Sequence, residues 1–515
     1  MADSFSKEIY DKESSHAVVL PSNEGNGHAS AEVHGDKALD LLANAQHVDL
    51  AEVDPAKLKK LVRKIDLYIM PCMMLCEFFN FLDKSAISYS RLFGITTQNG
   101  LVGQQFAWLG SLFYIGYLIW QPCAAWLLVR IPVRWHLSTV VVIWGIVLGC
   151  TAACHNFAGL ATCRFLLGMA ESAMVPILGA VTGMWYTREE QATRVGLWFG
   201  SVGMSQIIGG LISYGMFRLE SSGVAVAKWK FIFVLLGPVT GVFGLVLFVL
   251  IPSSPASAWW LTPEERLLAL ERIRQNKTGT AASEYKMSQF WEAWRDPRIY
   301  LCAISVFGAS VPNGSISSFG ATIIADFGYT TKQTTLLGMS TGASETVAMI
   351  AGILLSRRMK QRGLPAVICI GVSIVGAIMM IAIPAAQKNA RFAGYCLVFW
   401  FPVGQMLFIP WFQSMIAGHT KRATFFALYQ VFYSAGNLAG AQLYPAKDAP
   451  GYVPAKVTMI VMLCLHAATM GGLVLVHKRW NAKRAQEAEL ETEELDNIEF
   501  MDRTDWEIKS FRYPL

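Results

Sequence analysis

The chain has 515 residues, 53% of them hydrophobic and only 16% charged, with a mean hydropathy of +0.38 and a formal net charge of +6. Soluble domains carry about 25% charged residues, so the composition excludes an ordinary soluble domain and points to a bilayer. The positive balance lies in segments that flank apolar stretches, with no aromatic–basic binding module, which excludes a nucleic-acid footprint.

Residues 1–65 are polar and hold no apolar stretch near the start, so no cleavable leader is expected and the first span directs insertion. A spanning helix needs roughly 20 mainly apolar residues. Such stretches fall near 67–92, 103–127, 137–154, 158–185, 195–217, 229–251, 299–325, 332–356, 364–384, 391–413, 423–444 and 456–477. Backbone groups in lipid must pair within their own segment, and the period-2 alternation of a barrel is missing. The fold class is therefore all-α integral membrane, with twelve transmembrane helices in two six-helix halves, 66–251 and 299–477. The loop 252–298 joins them, and a tail, 478–515, follows.

Within the loop, Thr262 is placed to cap an amphipathic helix, with Pro263 in its first position and Glu264 and Glu265 favouring its N-terminal dipole. The tail after Trp480 is rich in Glu and reads as solvated. Basic residues decide the orientation. Lys57, Lys59, Lys60, Arg63 and Lys64 precede span 1, the loop holds Arg266, Arg272 and Arg274, and the last span ends in Lys478 and Arg479. Both termini and the loop are expected on the cytoplasmic side, which leaves the sequons at Asn276 and Asn313 unglycosylated. Arg512-Tyr-Pro-Leu515 matches neither the peroxisomal nor the endoplasmic-reticulum address, so the plasma membrane is the default. Ten cysteines are scattered through apolar segments without further ligands beside them, so neither a metal nor a cofactor is expected.

Charges inside spans are costly and mark function by default. In span 1, Glu77, Asn80 and Asp83 recur every third residue along one broad face, and Lys84 returns to the direction of Glu77. In span 4, Arg164 and Glu171 are seven apart and share a face. The arginine is suited to bidentate binding of a carboxylate, with Glu171 as counter-ion or proton carrier. Glu345 is the acid of span 8. Val311-Pro-Asn-Gly-Ser315 is expected to interrupt span 7, with Asn313 as a ligand. Span 11 adds Tyr429, Gln430, Tyr433 and Asn437, and span 2 adds Tyr114 and Tyr117; such aromatic stripes are more often packing than ligand walls. The glycines of span 5 suit close helix packing.

Asp83-Lys-Ser-Ala-Ile-Ser-Tyr-Ser-Arg-Leu-Phe-Gly94, Trp108-Leu-Gly-Ser-Leu-Phe-Tyr-Ile-Gly-Tyr117, Arg164-Phe-Leu-Leu-Gly-Met-Ala-Glu171, Trp185–Glu190, Asn313–Gly320 and Ala417–Arg422 resemble the fungal allantoate permease branch of the major facilitator superfamily. The resemblance covers about 60–480. It implies the major facilitator fold and an anion:cation symporter, a class that imports nicotinate, pantothenate, biotin and similar anions with protons. The branch's Asp-Lys pair matches Asp83 and Lys84, its span-4 pair matches Arg164 and Glu171, and its Asn-Gly matches Asn313 and Gly314. An Asn of the family appears here as Met415, and two family prolines are missing from Met339-Ser-Thr-Gly-Ala343 and Gly440-Ala-Gln442. These departures point to a specialised substrate.

The expected function is proton-coupled import of a small organic anion (carboxylate, vitamin-like or ureide) by a monomer, with no enzymatic activity. Two alternatives stay open: an exporter or intracellular-membrane carrier of a secondary metabolite, and a non-transporting nutrient sensor.

Overall fold

A computed structural model describes residues 53–218, 227–274, 285–449, 451–488, 503–508 and 511–515. Most of the polar N-terminal segment and the sequon at Asn276 lie outside these residues. Among the described residues every regular element is helical. The first half comprises α1 (Pro55–Leu92), α2 (Gln105–Arg130), α3 (Val133–Thr151), α4 (Phe157–Glu171), α5 (Met174–Trp185), α6 (Arg188–Phe199), α7 (Ser201–Arg218) and α8 (Lys228–Leu250). Two connecting helices follow, α9 (Pro263–Arg274) and α10 (Met287–Arg295). The second half comprises α11 (Pro297–Asp326), α12 (Thr331–Met359), α13 (Gly363–Ala382), α14 (Lys388–Val398), α15 (Pro402–Met415), α16 (His419–Ala441) and α17 (Val453–Ala488).

Taking α4–α5, α6–α7 and α14–α15 as one span each, eleven of these elements are long and apolar enough to cross a membrane. The twelfth span is α16. Its 23 residues reach about 34 Å at 1.5 Å per residue, but Gln430, Ser434 and Asn437 dilute its hydropathy. Those polar groups are buried against protein, so lipid never meets them.

Three spans that read as continuous apolar runs are broken: at Ser172–Ala173, at Gly200, and at Phe399–Phe401 ahead of Pro402. Conversely, the expected interruption at Val311–Ser315 does not occur, because α11 runs unbroken through Pro312. Serines beyond the proline bond back to carbonyls of the preceding turn. Ser315 Oγ donates to the Val311 carbonyl at 3.0 Å, and Ser317 Oγ donates to the Asn313 carbonyl at 2.7 Å. Gly314 lets α16 close in; a Cβ there would run into the Asn437 carbonyl.

Within the first half α3 packs on α8 and α2 on α4; within the second, α11 packs on α16 and α17. Between halves the principal contacts are α7 with α12, α2 with α16 and α1 with α11. Gly203 and Gly342 make the α7–α12 approach possible, since a Cβ on either would strike the other helix's backbone. At the end where α1 finishes, the halves interlock. Arg91 lies 4.8 Å over both Phe106 and Phe319, and the Ala321 amide donates to Ser88 Oγ at 3.0 Å. At the opposite end a crevice of ≈ 440 Å³ separates α6 from α12 and α15.

Thr262 caps α9 as expected, accepting from the Glu265 amide at 3.3 Å, and the Glu265 carboxylate accepts in return from the Thr262 amide at 2.9 Å. It pairs with the first half through Glu264–Lys57 at 3.1 Å and Glu265–Lys64 at 2.7 Å. The reading of a solvated tail after Trp480 needs correction. α17 continues to Ala488, and residues 503–508 and 511–515 fold back onto the second half. Asp505 enters a fully buried cluster with Arg298, Asp296 and Lys421, and Tyr513 bonds both ways with Asn481 at 2.8 and 2.9 Å. Trp411 Nε1 donates to the Pro514 carbonyl at 2.8 Å. Tail aromatics and Asp505 thus find partners that the Glu-rich stretch before them conceals.

Candidate functional site

Between the halves lies a cavity with ≈ 70 Å³ open to the centres of water-sized molecules. At about 10–15 Å³ per water, it holds roughly five waters or one small solute. The three helix breaks all fall at this level. Glu171 and Val175 flank the first break, Phe199 and Val202 the second, and Phe399, Phe401 and Pro402 make the third; all seven face the cavity. Interrupted helices at the midplane present backbone and side chains where a solute needs them.

Of the residues singled out in the sequence, Glu77, Lys84, Glu171, Asn313, Glu345 and Gln430 line the cavity, while Asp83, Arg164 and Asn437 do not. The division on α1 follows from helical geometry. Glu77 and Lys84 are two turns apart on one face, whereas Asp83, one residue from Lys84, is turned about 100° away. There it accepts a hydrogen bond from Trp144 Nε1 on α3 at 2.9 Å. Asp83 is 1% exposed, so it is no solvated surface acid.

Lys84 and Glu171 form the polar centre of the wall. Asn80 Nδ2 donates to Glu171 Oε2 at 2.7 Å, Lys84 Nζ donates to Asn80 Oδ1 at 2.7 Å, and Lys84 Nζ lies 3.6 Å from Glu171 Oε2. The second oxygen of Glu171 and Oδ1 of Asp83 are both buried without a partner, yet the two carboxyls lie within hydrogen-bonding reach of each other. Two carboxylates are both acceptors and cannot satisfy one another. Arg164, seven residues or about 10 Å along α4 from Glu171, is 2% exposed and acts on Glu171 electrostatically from behind the wall.

The second half contributes a different surface. Asn313 Nδ2 donates to Asn437 Oδ1 at 2.8 Å, so Asn437 orients a cavity residue rather than facing the solute. Gln430 Nε2 donates to the Tyr117 hydroxyl at 3.5 Å. Tyr429 and Tyr433 stack at 6.4 Å, and Tyr433 meets Tyr117 at 6.0 Å, giving one aromatic side. Glu345, on α12, makes no hydrogen bond or ion pair among the described residues. Gln405, on α15, leaves its Nε2 unpartnered. Gln405, Phe399 and Phe401 went unnoticed in the sequence; the one signal was an amide three residues after Pro402 in an apolar run.

The family profile described as Major Facilitator Superfamily matches residues 73–441. The chain belongs to the major facilitator superfamily. This facilitator is 36% identical to an uncharacterized transporter of Schizosaccharomyces pombe over 93% of its own length and 94% of that protein's. It is 33% identical to the allantoate permease of Saccharomyces cerevisiae, covering 93% and 90%, and 33% identical to that yeast's thiamine pathway transporter THI73, covering 88% and 86%. In fold it is similar to the partially occluded inward-open xylose transporter XylE of Escherichia coli, with a TM-score of 0.61 at 14% identity over 80% of this chain and 98% of XylE. A bacterial homologue of the lysosomal transporter Spinster matches with a TM-score of 0.57 at 15% identity over 78% and 95%. This facilitator is therefore a multi-pass membrane transporter and no enzyme.

Proposed function

We propose that this facilitator imports a small organic anion together with protons. The observation that carries the reading is the contact of Lys84 with Glu171, beside the carboxyl of Asp83. In the deprotonated site the Glu171 carboxylate occupies the Lys84 ammonium. A proton shared by Asp83 and Glu171 removes that counter-charge and frees Lys84 for the carboxylate of a solute. Either step alone leaves an uncompensated charge in a largely buried site, which costs several kcal/mol. Proton and anion therefore bind together, which is the thermodynamic content of coupling. Arg164 adds fixed positive charge behind Glu171, and Glu77 shares the field of Lys84.

The relatives named for allantoate and for the thiamine pathway support a small polar organic substrate. The basic flanks at Lys57–Lys64 and Lys478–Arg479 support cytoplasmic termini. Under that orientation the crevice between α6, α12 and α15 opens to the cytoplasm and the Arg91–Phe319 side is sealed. The plasma membrane and a monomeric working unit belong to the same proposal. The test is internal pH in proteoliposomes as nicotinate, pantothenate, a ureido acid and a dicarboxylate are added outside, one at a time. Acidification by one of them, missing from empty vesicles and from Lys84→Ala, is expected. Alkalinisation would make the exporter reading primary.

A further inference from the structure

The cavity wall carries more carboxyl groups than a simple anion calls for. Three carboxyls, Glu77, Glu171 and Glu345, face the space with one ammonium, Lys84. Glu171 pairs with Lys84, and Glu77 lies within its field. Glu345 stands apart on the second half, 1% exposed, with Oε2 orphaned and with no cation beside it. A buried carboxyl of this kind stays neutral until a positive hydrogen-bond donor arrives to pair with its charge. The neighbouring helices α14 and α15 bring Phe399, Phe401 and the unpartnered amide of Gln405 to the lining, and α16 adds Tyr429, Gln430 and Tyr433. Aromatic faces attract cations as well as apolar groups.

We infer that the substrate is two-ended, with a carboxylate for Lys84 and, at its far end, a cationic N–H group received by Glu345 beside the α14–α15 break. This rests on the Lys84 carboxylate site proposed above and narrows its substrate class from organic anions to zwitterions. Glu345 is then a specificity-determining residue. The two poles sit on different halves, so only a solute that reaches both holds the halves together around it.

The separation of the two poles is sampled with a series of probes. Purified full-length protein is titrated calorimetrically with glycine, β-alanine, 4-aminobutyrate and 6-aminohexanoate, each compared with the alkyl monocarboxylate of the same number of heavy atoms. At the chain length that spans the poles, the amino acid is expected to bind at least tenfold more tightly than its alkyl counterpart. Glu345→Gln should abolish that preference while leaving alkyl carboxylate binding intact, and Lys84→Ala should weaken both series. If alkyl acids bind and no amino acid is preferred at any length, the two-ended inference is wrong and the Lys84 site stands. A preference that survives in Glu345→Gln, together with loss of proton flux in that variant, would make Glu345 a proton carrier and overturn the inference. If neither series binds, or Lys84→Ala changes nothing, the carboxylate site itself falls and the inference with it.

Discussion

Replacing Asp505 by Asn tests whether the C-terminal segment is a structural part of the second half. The carboxylate accepts from Arg298 Nη2, from Lys421 Nζ at 2.9 Å and from the Tyr513 hydroxyl at 3.0 Å, with every charged partner fully buried. Removing one member of a buried ion cluster costs about 3–5 kcal/mol. The segment has an escape, since it can lift off and let water reach Arg298 and Lys421. The loss is therefore drawn from docking first and from global stability only afterwards. At about 1.4 kcal/mol per tenfold, protection of the amides in 503–508 and 511–515 should fall about a hundredfold or more in hydrogen exchange, with α2–α4 unchanged. Burial alone would push the Asp505 carboxyl up, but Arg298 and Lys421 hold it below its ordinary value of 3.8. A folded value below the unfolded one stabilises docking above the unfolded value, and that stabilisation is lost only as pH falls through the folded value. Protection in the wild type should thus be independent of this group between pH 5 and 8. Full protection in Asp505→Asn would refute the reasoning.

Lys84→Ala should lower carboxylate affinity about tenfold to a hundredfold, the value of one charge-assisted hydrogen bond, measured by titration of the purified protein. Asp83→Asn places an amide donor where the shared proton sits. Because the amide donates without neutralising Glu171, Lys84 stays paired; anion exchange should weaken and its dependence on pH flatten, measured as radiolabelled counterflow across pH 5–8. Gly314→Ala forces a methyl group against the Asn437 carbonyl. It should destabilise the second half by about 1–3 kcal/mol, seen as a lower midpoint in thermal unfolding.

Spans were legible because lipid imposes one rule. Glu77, Lys84, Glu171 and Glu345 stood out because a charge inside an apolar run is costly wherever no partner or cavity receives it. Their grouping was less visible. Asp83 and Lys84 are neighbours in sequence yet face different helices, and pattern alone does not say which side looks inward. Pro312 misled because a proline does not by itself break a helix that packing holds: Ser315 bonds within α11 and also to the Gly440 carbonyl of α16, a contact the local sequence does not show. The breaks at Ser172, Gly200 and Phe399 left little trace, since an interrupted apolar run looks like a continuous one. Gln405 was hidden for the same reason: it stands one turn into α15, just after the break at Phe399–Phe401, and lines the cavity.

The most direct test of coupling compares net uptake with exchange in proteoliposomes carrying Glu171→Gln, whose amide removes the charge that competes for Lys84. The account predicts that this variant exchanges labelled substrate across the membrane at a rate that no longer depends on pH, but neither accumulates it against a gradient nor moves protons. Accumulation driven by an imposed pH gradient in Glu171→Gln would contradict the assignment of the proton to the Asp83–Glu171 pair.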